Sequence, residues 1–139
     1  MKQILADVFE FHEKFGVPVA DSPSLAKPDR CELRQRLHKE EFNELTAAID
    51  RCAHLYAHPG DISRDVDALV HVADGIVDLM YVLAGTALEF GMQDRLDEVW
   101  RRVHAANLAK VGGGFRGDGK VLKPPGWTPP DVEGALWPK

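Results

Sequence analysis

The chain has 139 residues, 45% hydrophobic and 28% charged, the balance of an ordinary globular protein with a single core and not of a disordered one. Its formal net charge of −5 argues against non-specific nucleic-acid binding as the default. Residues 110–139 depart from that balance with a small basic excess, leaving the acidity to everything before them.

Residues 3–15 place Ile4, Leu5, Val8, Phe11 and Phe15 at helical spacing, and Gly16 and Pro18 stop the run. Acids interrupt this segment, so it does not read as a signal peptide. Cys31 and Cys52 have no CxxC spacing and fall in a helical stretch, as reduced thiols would, and the expected compartment is the cytoplasm. After a loop rich in Pro and Ser, Asp29 with Glu32 resembles a capping box opening a long helix to about Ala57. His58-Pro59-Gly60 breaks it. Asp61 or Ser63 then caps a third helix to Phe90, ended by Gly91. Its longest apolar region, around Ile76–Leu88, is shorter than the ~20 residues that span a bilayer, so no membrane association is expected. Asp94 caps a fourth helix with Leu96, Val99, Trp100, Val103 and Leu108 on its buried side, stopped by Gly112-Gly113-Gly114. The five prolines beyond it exclude a long helix or a central strand. The expected fold is all-α: a four-helix domain over residues 1–111, with an extended tail, 112–139, docked on it through Trp127 and Trp137.

Acidic residues sit where apolar ones belong. At about 100° per residue with Leu33 as origin, Leu37 and Leu55 fall near 40°, Glu44 near 20°, Glu40 near 340° and Glu41 near 80°. Three glutamates therefore share the stripe the leucines would bury, although solvated acids normally occupy the opposite face. The third helix repeats the anomaly. From Ala68 to Leu88 it contains no Lys, Arg or Glu, which marks it as the most buried helix, yet Asp74 and Asp78 lie one turn apart on one face. An unpaired buried carboxylate is destabilised by several kcal/mol. A hard divalent cation would offset that, since Mg²⁺ or Mn²⁺ prefers oxygen ligands. Pairing with Arg34 or Arg36, or plain solvation, is the alternative for either cluster alone.

Other motifs are weaker. Gly114–Lys120 is one residue short of a P-loop, with Val121 in place of Ser or Thr and no strand before it. None of the nine glutamates has a His three residues later, which argues against a helical di-iron site, and HExxH and GxSxG are absent. His71 reads first as a hydrogen-bonded core histidine.

Glu40-Glu41-x-x-Glu44 resembles the EExxE of the all-α nucleoside triphosphate pyrophosphohydrolase superfamily, which includes MazG, and Asp78 fits the aspartate of its ExxD. The chain departs from ExxD: Gly75 stands three residues before Asp78, and the acid is Asp74. FHEKFGVP, ADGIVDLMYV, Asn107-x-x-Lys110 and DGKVLKPPGWTPPD further resemble the MazG-like branch labelled phosphoribosyl-ATP pyrophosphohydrolase-like or Cof-like, so the likeness covers nearly the whole chain. The resemblance implies hydrolysis of a nucleoside triphosphate between its α and β phosphates. Phosphoribosyl-ATP hydrolysis and a non-catalytic nucleotide-binding module are the alternatives. It implies Mg²⁺, or Mn²⁺, on Glu40, Glu41, Glu44 and Asp78, with Asp74 in or next to the coordination, and Glu41 as the base. Asn107 and Lys110 would hold phosphate oxygens, with Lys123 and Lys120 closing from the tail. His12, Phe15 and Trp127 would contact base or sugar, or simply pack. A homodimer or homotetramer is expected.

Overall fold

The computed structural model describes residues 1–60 and 62–138. Five helices follow in chain order: α1 (Lys2–Phe15), α2 (Pro28–Ala57), α3 (Ile62–Glu89), α4 (Leu96–Leu108) and the short α5 (Glu133–Leu136). Among the described residues the sole β feature is an isolated bridge between Phe115 and Val121, so the fold is all-α.

Local chemistry sets the helix ends. Pro28 starts α2, where its missing N–H is not needed, and the N-cap residue is Lys27, which makes no side-chain cap. The anticipated Asp29/Glu32 capping box is therefore not formed, and Asp29 instead places its charge in the first turn. Ser63 lies inside α3, and Asp61, the other candidate cap, is outside the described residues. α4 begins after Arg95, one residue beyond the anticipated Asp94.

The chain forms two compact units, Lys2–Gly91 and Met92–Lys139. In the first, α3 is the common partner of α1 and α2. Its buried positions are Ala68, Gly75, Ala84, Gly85, Ala87, Leu88 and Glu89. The larger apolar residues Leu69, Val70, Ile76, Val77 and Leu83 are exposed, Leu69 at 63%. The expectation of a helix buried all round is thus overturned for the single chain: α1 and α2 cover one side, along which the small residues lie. α3 also exceeds the length expected of its apolar region. It is 28 residues long, reaches a mean hydropathy of 1.5, and by length and composition could cross a membrane. Asp74 and Gly75 interrupt the apolar run without interrupting the helix.

The second unit is α4 with the segment after it. Trp127 Nε1 donates to the Ala106 carbonyl (2.7 Å), and Arg102 Nη1 donates to the Asp131 carbonyl (2.8 Å) and carboxylate (2.7 Å). No α4 residue is fully buried, and Trp100 and Leu108, assigned to its inner side by the sequence, are exposed.

A buried polar network ties α1, α2 and α3 together. Glu89 accepts from Arg30 Nε (2.9 Å), Arg30 Nη2 (2.5 Å) and Arg34 Nε (2.8 Å). Arg34 Nη2 also reaches His12 Nε2 (3.2 Å), and the Pro18 carbonyl lies 3.1 Å from His12 Nδ1. A guanidinium only donates and a carbonyl only accepts, so His12 carries its proton on Nδ1. Gly85 makes room for this: a Cβ there would lie 2.6 Å from Arg34 Nη1. His12, Leu5 and Val8 form the buried face of α1, which removes His12 as a base or sugar contact and leaves Phe15 exposed.

Burial, opposed by the Pro18 carbonyl and aided by the Arg34 charge, holds His12 below its ordinary 6.5. Burial alone would raise Glu89, but hydrogen bonds from Arg30 and Arg34 overcome it and hold the carboxylate below 4.5. Both folded values lie under the unfolded ones, so both contributions are complete at high pH and are lost on acidification. Thermal unfolding followed by circular dichroism should show the melting temperature falling as pH drops below 6.5, an arm that His12→Gln flattens. Glu89→Ala, which strands two guanidiniums, should lower stability by about 3–5 kcal/mol.

Candidate functional site

The inward stripe of α2 runs through Arg34, His38, Glu41, Leu45, Ala48, Cys52 and Leu55, all buried or half-buried. Glu41 lies on that stripe, whereas Glu40 and Glu44 are exposed. The sequence-based wheel was centred too far round because it counted leucines. Arg34 and His38 are polar yet point inward, one to Glu89 and the other to Thr86 Oγ1 at 2.7 Å.

Gly75 sets where α3 meets α2. A Cβ there would lie 3.1 Å from Leu45 Cα and 3.2 Å from Leu45 Cβ, so the backbones approach more closely than two ordinary side chains permit. This explains the departure from ExxD: the position three before Asp78 is committed to helix contact, and the acid stands beside it at Asp74. Glu44, Asp74 and Asp78 line one cleft of about 340 Å³ together with Gly75, Arg51 and His71. Asp74 and Asp78 are themselves exposed.

Glu41 reports on its neighbours electrically. Partial burial raises its pKa above 4.5, and the charges of Asp78, Glu44, Glu40 and Asp74, in that order, raise it further. The five acids named from the sequence thus share one electrostatic neighbourhood. Among the described residues none of the five forms an ion pair, and no three His, Cys, Asp or Glu side chains converge tightly enough to hold a metal ion. Arg34, weighed as a partner for them, is committed to Glu89.

The candidate phosphate-binding groups all lie in the second unit. Lys110 Nζ donates to Asn107 Oδ1 (2.6 Å), and Lys110 and Lys123 place their ammonium groups 5.8 and 4.1 Å from the Trp127 ring centroid. Asn107, Lys110 and Lys123 therefore gather about Trp127. Lys120 is apart from them, its carbonyl accepting from Arg116 N–H across a turn that Arg116 and Asp118 brace at 2.9 Å.

Sequence reasoning missed Arg51 altogether and read His71 as a core residue. Both are exposed and both are held by Asp67: Arg51 Nη2 donates to its carboxylate (2.6 Å), and His71 Nδ1–H to its backbone carbonyl (2.8 Å). The spacing of Asp67 and His71, one turn apart, was the available signal.

The family model for phosphoribosyl-ATP pyrophosphohydrolase matches residues 8–107. The chain belongs to this family. It is accordingly a pyrophosphohydrolase of the MazG-like all-α superfamily. The match contains all five acids and Asn107, and stops short of Lys110, Lys120 and Lys123. No curated protein matches the sequence.

The close contact at Gly75 is open to test. Ala in place of Gly inside a helix normally gains up to ~1 kcal/mol, whereas overpacking costs about 1–3 kcal/mol. Here the obstructing atoms include Leu45 backbone, which cannot rotate away, so overpacking wins. Gly75→Ala should lower the melting temperature, and Gly75→Glu, which restores the ExxD glutamate, should lower it further. Calorimetry checks the order.

Proposed function

We propose that the chain hydrolyses a canonical or modified (deoxy)nucleoside triphosphate between its α and β phosphates, giving the monophosphate and pyrophosphate. The observation that carries this reading is the gathering of acids between two helices: Glu41 half-buried on the face of α2 that meets α3, and Glu44, Asp74 and Asp78 lining one cleft. A carboxylate held on that face, beside the cleft that Glu44, Asp74 and Asp78 line, is placed to accept a proton from water.

The donor chemistry fits a divalent cation: five carboxylates, none in an ion pair among the described residues, and all-oxygen ligation of the kind Mg²⁺ and Mn²⁺ accept. Glu40, Glu44, Asp74 and Asp78, with Glu41, would hold it. When bound, the ion supplies charge neutralisation of the polyphosphate and acidification of a coordinated water. Glu41 then accepts a proton from the attacking water. In the Met92–Lys139 unit, taken by itself, Asn107, Lys110 and Lys123 gather about Trp127 and would be its phosphate-binding groups, with Lys120 on its turn.

Incubation with Mg²⁺ and a panel of NTPs, dNTPs and phosphoribosyl-ATP, with pyrophosphate detection, tests the reading. Cleavage of at least one triphosphate is expected, with kcat reduced about 100-fold or more in Glu41→Gln. Mg²⁺ should raise the melting temperature of the wild type by linkage. If no nucleotide is cleaved, or Glu41→Gln turns over like the wild type, the reading is lost.

We further propose a dimer or tetramer. Support comes from the apolar residues that α1 and α2 leave uncovered on α3, Leu69, Val70, Ile76, Val77 and Leu83, five on one helix that a second copy would cover. Sedimentation equilibrium should give at least twice the chain mass of 15.4 kDa, reduced by Val77→Glu. A monomer at micromolar concentration would refute this.

A further inference from the structure

The cleft between α2 and α3 is bipolar. Glu44, Asp74 and Asp78 line it, and Arg51 and His71 line it too. Arg51 lies two turns beyond Glu44 on α2, and His71 about one turn before Asp74 on α3. A site for a cation alone would gain nothing from a guanidinium in its wall, because like charges oppose each other there. A site for a polyphosphate carried with its cation needs both signs.

Arg51 is equipped for the second role. It presents five N–H donors, and the structure engages Nη2 with Asp67 Oδ2 at 2.6 Å, leaving others to reach a ligand. The pair is half-exposed, 45% at Arg51 and 51% at Asp67, so it is not a buried brace of the fold. Asp67 instead fixes the guanidinium from behind with its carboxylate, and with its backbone carbonyl it takes the Nδ1–H of His71. One residue thereby orders both basic side chains of the cleft. A planar guanidinium matches two oxygens of one phosphate, which a lysine ammonium does not.

We propose that Arg51, held by Asp67, is the anion-binding group of this cleft and takes the pyrophosphate portion of the substrate. This rests on the pyrophosphohydrolase reading and adds to it the residue that recognises the leaving group. It also gives the Lys2–Gly91 unit a phosphate contact of its own, independent of Lys110, Lys120 and Lys123.

The test is titration calorimetry with inorganic pyrophosphate in the presence of Mg²⁺, on wild type, Arg51→Gln and Arg51→Lys, each checked for its melting temperature. Removing a half-exposed ion pair leaves the fold nearly as stable. Pyrophosphate should bind wild type, about tenfold or more weakly to Arg51→Gln, and with intermediate strength to Arg51→Lys. Equal binding by wild type and Arg51→Gln, or no binding by wild type, overturns the proposal. Should pyrophosphate binding depend on Arg51 while no nucleotide is cleaved, the anion site stands and the hydrolytic reading falls.

Discussion

The contact of Gly75 with Leu45 governs the rest of the molecule. Helices of 30 and 28 residues come close together where Gly75 has no side chain, since an added Cβ would lie 3.1 Å from Leu45 Cα. The candidate site of the Lys2–Gly91 unit lies within about two turns of that point: Glu41 and Glu44 on α2, Asp74 and Asp78 on α3, and Arg51 and His71 further along. A bulkier residue at Gly75 would separate the acidic faces as well as the backbones. Packing and chemistry therefore depend on one missing Cβ.

The two ends of this helix pair treat carboxylates in opposite ways. Glu89, almost completely buried, receives hydrogen bonds from two arginines, and its pKa falls. Glu41, half-buried, stands among four more acids, and its pKa rises. The chain does not lack arginines. It places Arg30 and Arg34 at the carboxylate that holds α2 to α3 and keeps them from the acids beside Gly75. Four of the five acids are exposed, and it is at half-buried Glu41 that their mutual repulsion registers. Under the proposed function, a divalent cation carried with a polyphosphate would offset that repulsion.

Much of this was legible in the sequence, and what failed did so for identifiable reasons. Helix breaks were readable because Gly16, Pro59 and Gly91 leave the chain few alternatives. The grouping of Glu41 with Asp78 was expected from acids set among apolar residues, and Glu41 does lie half-buried on the inward stripe while Asp78 is exposed. The phase of α2 was not readable from hydrophobicity alone. Arg34 and His38 face inward because partners some fifty residues away in sequence receive them, and no local pattern announces such partners. His71 was misjudged because α3 looked buried all round; in the single chain, small residues form its contact line and the large ones face outward. Arg51 was invisible for the complementary reason. On a helix, an exposed arginine near an exposed aspartate is ordinary until the cleft it lines is known.

The division of positive charge bears on how such a site would discriminate. Lysines stacked against Trp127 are held at one end of a flexible stem and act as point charges on any phosphate. Arg51 is planar and oriented from behind by Asp67, so it recognises geometry as well as charge. A chain that used only lysines would hold mono-, di- and triphosphates in proportion to their charge. With Arg51 acting as proposed, the cleft would favour a ligand whose phosphate oxygens and accompanying cation are spaced to meet guanidinium and acids at once. A monophosphate offers too little length for that, so of the two products the monophosphate would leave this cleft more readily than the pyrophosphate.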